Sequence, residues 1–260
     1  MSDAYVDRTL RKLRLRWVAV ATIATVATAL SFGGLRLLLA DDLARRWLLL
    51  TVPVLAYELA LLWYVLPRNR EEGRLLASFG PGTQLTLARG VLIAFLAGFL
   101  LLSRPTESLV WLPALLYGAA ALADYVDGTL ARLTDHVTTL GARLDTEFDA
   151  LGILIAPLLA VLYGQLPVWY LSVSAARYLF VFGRWLRRRR DRPVFALPPR
   201  ASRRYLAGLQ MAFLTLVLSP VVTPPVTTVG AVFVAVPFIV GFVRDWLYVS
   251  GRLSEPTQEQ

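Results

Sequence analysis

Between Asp124 and Asp149 the chain reads DYVDGTLARLTDHVTTLGARLDTEFD, and a frame of Asp124, Asp127, Gly128, Ala131, Arg132, Gly141, Asp145 and Asp149 stands out of it. Asp124 and Asp127 are three apart, and Asp145 and Asp149 are four apart. On helices each pair shares one face, with Gly128 and Arg132 continuing the first stripe and Gly141 preceding the second. Four carboxylates gathered across a turn repel unless a cation neutralises them. Ligands that are all oxygen select a hard ion, Mg²⁺ or Mn²⁺, and one or two such ions can bridge a pyrophosphate. Gly128 and Gly141 remove side chains where a ligand has to approach the backbone. Arg132 offers a bidentate donor to phosphate. Helix capping, or an ion or proton pathway through a transporter, are the other uses of acids in such a place.

The elements that carry these residues are apolar on both sides of the segment. Hydrophobic residues make up 57% of the 260-residue chain, and mean hydropathy is +0.57, above the range of ordinary soluble domains. Eight spans follow from the apolar runs: Trp17–Ala40, Trp47–Leu66, Leu85–Ser103, Leu109–Ala123, a fifth from within the motif to Tyr163, Val168–Trp185, Tyr205–Leu218 and Val226–Val249. The expected fold is therefore all-α, a polytopic membrane helix bundle. The end of the polar stretch 67–80 is expected to lie along the membrane interface. The chain divides into residues 1–80, with two leading spans and a connecting loop, and residues 81–260, a six-helix core holding all the candidate chemistry. No cleavable signal peptide and no internal repeat is evident.

Cysteine is absent and His136 is the only histidine, which excludes disulfides and thiolate sites and leaves no room for His-rich metal sites. His136 falls on the turn between the motif halves and reads as a solvated turn residue. The net charge of +9 comes almost wholly from arginine. The basic clusters lie before the first span, in 67–80, in 187–204 and at the C-terminal end, while the alternate loops carry only Arg45, Arg46 and Arg104, so with eight spans the clusters fall on one face. The positive-inside rule makes that face cytoplasmic, together with both termini and the acidic motif. Charge that follows topology in this way argues against nucleic acid as a partner.

The frame D-x-x-D-G-x-x-A-R, eight residues, G-x-x-x-D-x-x-x-D resembles the signature of the CDP-alcohol phosphotransferases, integral membrane enzymes of phospholipid head-group synthesis. Every fixed position is present, and the resemblance extends over roughly residues 81–249. It implies a CDP-linked lipid donor, an alcohol acceptor, release of CMP, and Mg²⁺ or Mn²⁺ as cofactor. It implies metal ligation by Asp124, Asp127 and Asp145, with Asp149 as general base and also near metal. It implies a CDP pocket lined by Asp124, Asp127, Gly128, Ala131, Arg132, Gly141 and Asp145. The family also favours Thr and Arg early in its first core span, which LTLAR supplies as Thr86 and Arg89, and the resemblance adds both to the CDP contacts. Where the family often has Asn before this Thr, the chain has Gly82-Thr83-Gln84.

For the acceptor, the resemblance points to basic residues after the motif. Arg177 is a charge within an apolar run, and Arg200, Arg203 and Arg204 precede the seventh span. Together they suit a phosphorylated acceptor such as glycerol 3-phosphate or inositol phosphate. The alternatives are serine or another uncharged acceptor, with these arginines serving topology and anionic lipids. From a different class, a divalent-ion or proton transporter would use the same acids. Membrane lipids are the expected surroundings, and a homodimer is an open option for assembly.

Overall fold

The computed structural model describes residues 3–134, 137–198 and 200–253, with the side chains at 3, 4, 108, 131, 132 and 201 left out of the description. Eight α-helices account for most of the described chain: α1 (Asp3–Leu38), α2 (Asp41–Val65), α3 (Pro81–Gly98), α4 (Leu112–Leu133), α5 (Thr139–Leu162), α6 (Ser172–Arg189), α7 (Ala201–Leu218) and α8 (Val226–Val249). The all-α helix bundle expected from the apolar runs is thus what forms. Among the described residues, four helical stretches, Tyr5–Leu38, Asp41–Arg68, Pro81–Leu101 and Val226–Val249, are long and apolar enough to cross a membrane. The remaining four helices carry the acids of the motif or the arginines that follow it, and those charges lower their hydropathy. Leu15, Ile23, Leu30, Leu37, Phe233 and Val240 are all exposed, as expected of faces turned to lipid.

The helices that hold the site pack through small residues. A Cβ on Gly90 of α3 would stand 2.7 Å from Phe148 Cε2 of α5. A Cβ on Gly118 of α4 would stand 2.9 Å from Thr215 Cγ2 of α7. At Gly98, Trp47 and Thr51 of α2 fill the space a side chain would need, and Trp47 Nε1 donates to the Phe95 carbonyl at 2.9 Å. These close approaches let backbones pack where lipid gives no hydrophobic drive. The leading pair, α1 and α2, is tied together by Trp17 Nε1 donating to the Leu59 carbonyl at 2.8 Å.

Residues 67–80, whose end was expected along the membrane interface, fold back on themselves. They form a small antiparallel hairpin, β1 (Arg70–Glu71) with β2 (Arg74–Leu75), turned by Gly73 at φ +82°. Leu75 and Phe79 then enter the core, and buried Asn69 donates to the Leu76 and Ser78 carbonyls, each at 2.9 Å. Leu75 and Phe79 of LLASFG have packed partners in the core. The hairpin delivers the chain to Gly80 and Pro81, where an extended N-cap and a proline at N1 start α3.

Candidate active site

Each carboxylate is placed by its helix register. Asp124 and Asp127 lie on the C-terminal half of α4, and Asp145 and Asp149 lie on the first half of α5. The connection is short because α5 begins sharply: Thr138 is its N-cap, and the hydroxyl accepts from Gly141 N at 3.1 Å. The two acidic stripes expected from the spacing therefore face each other. One oxygen each from Asp124, Asp127 and Asp145 lie within 4.8 Å of one another. Asp149, also expected near metal, stands outside that trio.

Arg89 of α3 is the hub. It is 2% exposed, and its guanidinium meets all four acids. It ion-pairs with Asp124, with Asp145 Oδ1 at 2.8 Å, with Asp149 Oδ1 at 3.4 Å and with Asp127 Oδ2 at 3.7 Å. It also donates to the Asp145 carbonyl at 3.1 Å. Thr86, one turn earlier, has its Oγ1 2.9 Å from Asp127 Oδ2 and 3.0 Å from the Gly82 carbonyl oxygen, either of which can accept its proton. The resemblance implied CDP contacts at Thr86 and Arg89. In the structure both side chains are turned onto the aspartates.

Four carboxylates around one buried guanidinium leave an excess of negative charge. Oxygen donors without nitrogen or sulfur, three of them convergent, fit a hard divalent ion. Next to them is a cavity of about 280 Å³ lined by Thr83, Thr86, Asp127, Gly128, Gly141 and Asp145, among others. Gly141 shapes it, since a Cβ there would stand 2.9 Å from Thr83 Oγ1 and 3.3 Å from Thr138 Oγ1. A second and larger space of about 680 Å³ runs between α4 and α7. It starts at Asp124, Tyr125 and Arg204 and continues along Leu115, Leu122, Met211 and Leu216, so it joins the acids to an apolar groove.

The expected acceptor arginines are not gathered into one cluster. Arg177 lies beside the site: its Nη2 donates to the Thr146 carbonyl at 2.6 Å, and its charge acts on Asp149. Arg204 stacks over Tyr125 at 5.8 Å from the ring centre, at the mouth of the apolar groove. Arg200 stacks over Tyr248 at 4.6 Å. Arg203 is fully engaged elsewhere, with Nε and Nη2 on Asp245 at 2.7 and 2.8 Å and Nη1 on the Pro198 carbonyl at 2.7 Å. Ala131 and Arg132 are on the end of α4, and their side chains, like His136, lie outside the described residues. Three participants escaped the sequence reading. Thr83 was noted only for what it is not. Tyr117 of α4 is buried and acted on by the charges of Asp149 and Arg89. Glu58 of α2 is a buried acid within an apolar run, which was a visible signal.

The site thus sets two acidic helix faces beside a glycine-lined cavity and an apolar groove. The family model described as CDP-alcohol phosphatidyltransferase matches residues 82–243, more than half of the chain. No curated protein and no solved structure matches the chain. The match begins at the first turn of α3 and ends within α8, so it takes in every helix that contributes an aspartate, and the chain belongs to the CDP-alcohol phosphatidyltransferase family.

Proposed function

We propose that this integral membrane transferase moves a phosphatidyl-type group from a CDP-linked lipid to a phosphorylated alcohol acceptor, with CMP as the other product. The observation that carries this reading is the convergence of Asp124, Asp127, Asp145 and Asp149 on one buried guanidinium, next to both a glycine-lined cavity and an apolar groove. The cavity at Gly128 and Gly141 takes the cytidine diphosphate end. The groove between α4 and α7 takes a lipid chain of the donor.

In the reaction, the acceptor hydroxyl oxygen forms a bond to the phosphorus nearer the lipid. The bond from that phosphorus to the bridging oxygen breaks, and the electron pair leaves on CMP. Asp149 takes the hydroxyl proton, since it stands apart from the three convergent carboxylates and beside Arg177. Asp124, Asp127 and Asp145 are assigned to Mg²⁺ or Mn²⁺. When bound there, the metal supplies positive charge against the pyrophosphate and the departing phosphate. Arg89 holds the acidic faces together and keeps their oxygens in place before substrate arrives. Thr86 fixes the orientation of the Asp127 carboxylate.

Arg177 is assigned to the acceptor phosphate, with Arg204 and Arg200 as further cations on the same side, and glycerol 3-phosphate or inositol phosphate as acceptors. Arg177 is held by a neutral carbonyl, which a phosphate can replace or supplement with charge-assisted bonds. The acidic motif and both termini are assigned to the cytoplasmic side, following the arginine clusters. Residues 81–260 form the catalytic unit and residues 1–80 an added unit. The test is CMP release from a CDP-lipid by the purified chain, against a panel of phosphorylated and uncharged acceptors, with and without Mn²⁺ or Mg²⁺. Metal flux into liposomes with no CMP formed would instead favour a transporter.

A further inference from the structure

One buried carboxylate lies next to the site from outside the family-matched region. Glu58 lies on α2 and is 4% exposed. Among the described residues its Oε1 accepts no hydrogen bond. A carboxylate buried this way is expensive, and a helix with a lipid-facing side has no general use for one. Its place is fixed by Gly90, where a Cβ would stand 3.1 Å from Glu58 Oε2, so the carboxylate rests on the α3 backbone next to Arg89. Arg89 is the charged neighbour that acts on it. Arg89 Nε is itself buried and without a hydrogen-bond acceptor among the described residues. A buried donor and a buried acceptor without hydrogen-bond partners thus lie on packed neighbouring stretches of α2 and α3, not ion-paired with each other, while Nη1 and Nη2 are turned to the aspartates in ion pairs.

We propose that Glu58 is a positioning residue of the active site: it gives Arg89 a second anchor, on the N-terminal helix, to which the guanidinium withdraws when divalent metal takes the oxygens of Asp124, Asp127 and Asp145. Arg89 and the metal compete for the same oxygens and repel each other. A carboxylate waiting on the α2 side, next to Gly90, lets the guanidinium release those oxygens and move toward a counter-charge. Lacking Glu58, Arg89 stays on the aspartates and opposes the ion. The added helix pair is then part of the metal site's machinery and more than an anchor. The inference rests on the metal reading of the aspartates given above.

The test is Mn²⁺ binding to the purified full chain in detergent, read by electron paramagnetic resonance with no substrate present, together with the melting temperature with and without Mn²⁺. Glu58→Gln is expected to weaken Mn²⁺ binding by roughly 10- to 100-fold, the usual effect of losing a partner of the metal-site residues. It is also expected to shrink the metal-induced rise in melting temperature while leaving the metal-free value nearly unchanged. Glu58→Met, similar in length with no acceptor, is the second variant and should behave alike; it decides the matter if Glu58→Gln does not fold. A mere packing role predicts the reverse split, a lower metal-free melting temperature with Mn²⁺ affinity intact, and that result overturns the proposal. If the unmodified chain binds no Mn²⁺, the metal reading falls and this proposal falls with it. Normal binding by the unmodified chain and both variants removes this proposal alone.

Discussion

The two walls of the site are held by different kinds of contact. On the wall made by α3, α4 and α5, charge meets charge: Arg89 is sunk among four aspartates, and Thr86 braces one of them. On the wall made by α6 and α7, Arg177 rests on a backbone carbonyl, and Arg200 and Arg204 rest on aromatic rings. Removing one member of the first wall leaves buried charges uncompensated. A cation on a ring or a carbonyl is held by about 0.5–2 kcal/mol, weakly enough to exchange for a phosphate. Under the proposed function, the first wall keeps its geometry before substrate arrives and the second changes partners when it does. Arg203 marks the limit of the second wall. Its bidentate pair with Asp245 joins α7 to α8 and gives it the character of a brace.

This contrast breaks most visibly at the aspartates. Asp124→Asn or Asp127→Asn should lower turnover by at least about 10²–10³-fold, the scale for losing one preorganised electrostatic group, and should remove the stabilisation given by Mn²⁺. Initial rates over a metal titration check this, and near-normal activity at low metal would end the metal assignment. Asp149→Asn should reduce kcat by roughly 10²–10⁴-fold while KM for the CDP-lipid changes little. A large loss of donor affinity at an intact saturated rate would make Asp149 a binding residue.

The cavity offers a smaller and reversible perturbation. Gly141→Ala places a methyl group 2.9 Å from Thr83 Oγ1, and such overpacking costs about 1–3 kcal/mol. The expected result is a rise of roughly tenfold in KM for the CDP-lipid. Adding Thr83→Ala should recover much of the loss, because it removes the atom that is struck. No recovery in the double variant would mean that Gly141 matters through the start of α5 and Thr138, and not through the cavity.

On the second wall the effects should separate the arginines. Arg177→Ala should raise KM for a phosphorylated acceptor by about tenfold or more, the worth of a charge-assisted hydrogen bond, with KM for the CDP-lipid nearly unchanged. Equal losses for both substrates, or activity only with serine or an uncharged alcohol, would move the chain to another branch of the family. Arg203→Ala should have the smallest kinetic effect: a lower melting temperature, with acceptor KM within about twofold, because its guanidinium is engaged with Asp245 and Pro198. A selective loss of acceptor binding in this variant would return Arg203 to the phosphate site.

What the sequence determined by itself is whatever repeats along a helix. Three- and four-residue spacing put Asp124 with Asp127, and Asp145 with Asp149, on single faces whatever the bundle does. Apolar runs made the chain a membrane helix bundle, and the frame of eight fixed residues was specific enough to name the family. Only the tertiary structure decided which faces meet. That Arg89 sits among four acids, 35 to 60 positions further along the chain, depends on α3 packing against α4 and α5 through residues such as Gly90. Arg203 finds Asp245 across 42 residues, and nothing local distinguishes it from Arg204 beside it. Leu75 and Phe79 enter the core because a hairpin turns them inward, which no hydrophobic periodicity announces. Glu58 was visible as an acid in an apolar run, but its neighbour was not, since the contact that gives it meaning joins two helices. Local periodicity is fixed by backbone geometry, whereas the partners of a buried charge are fixed by long-range packing.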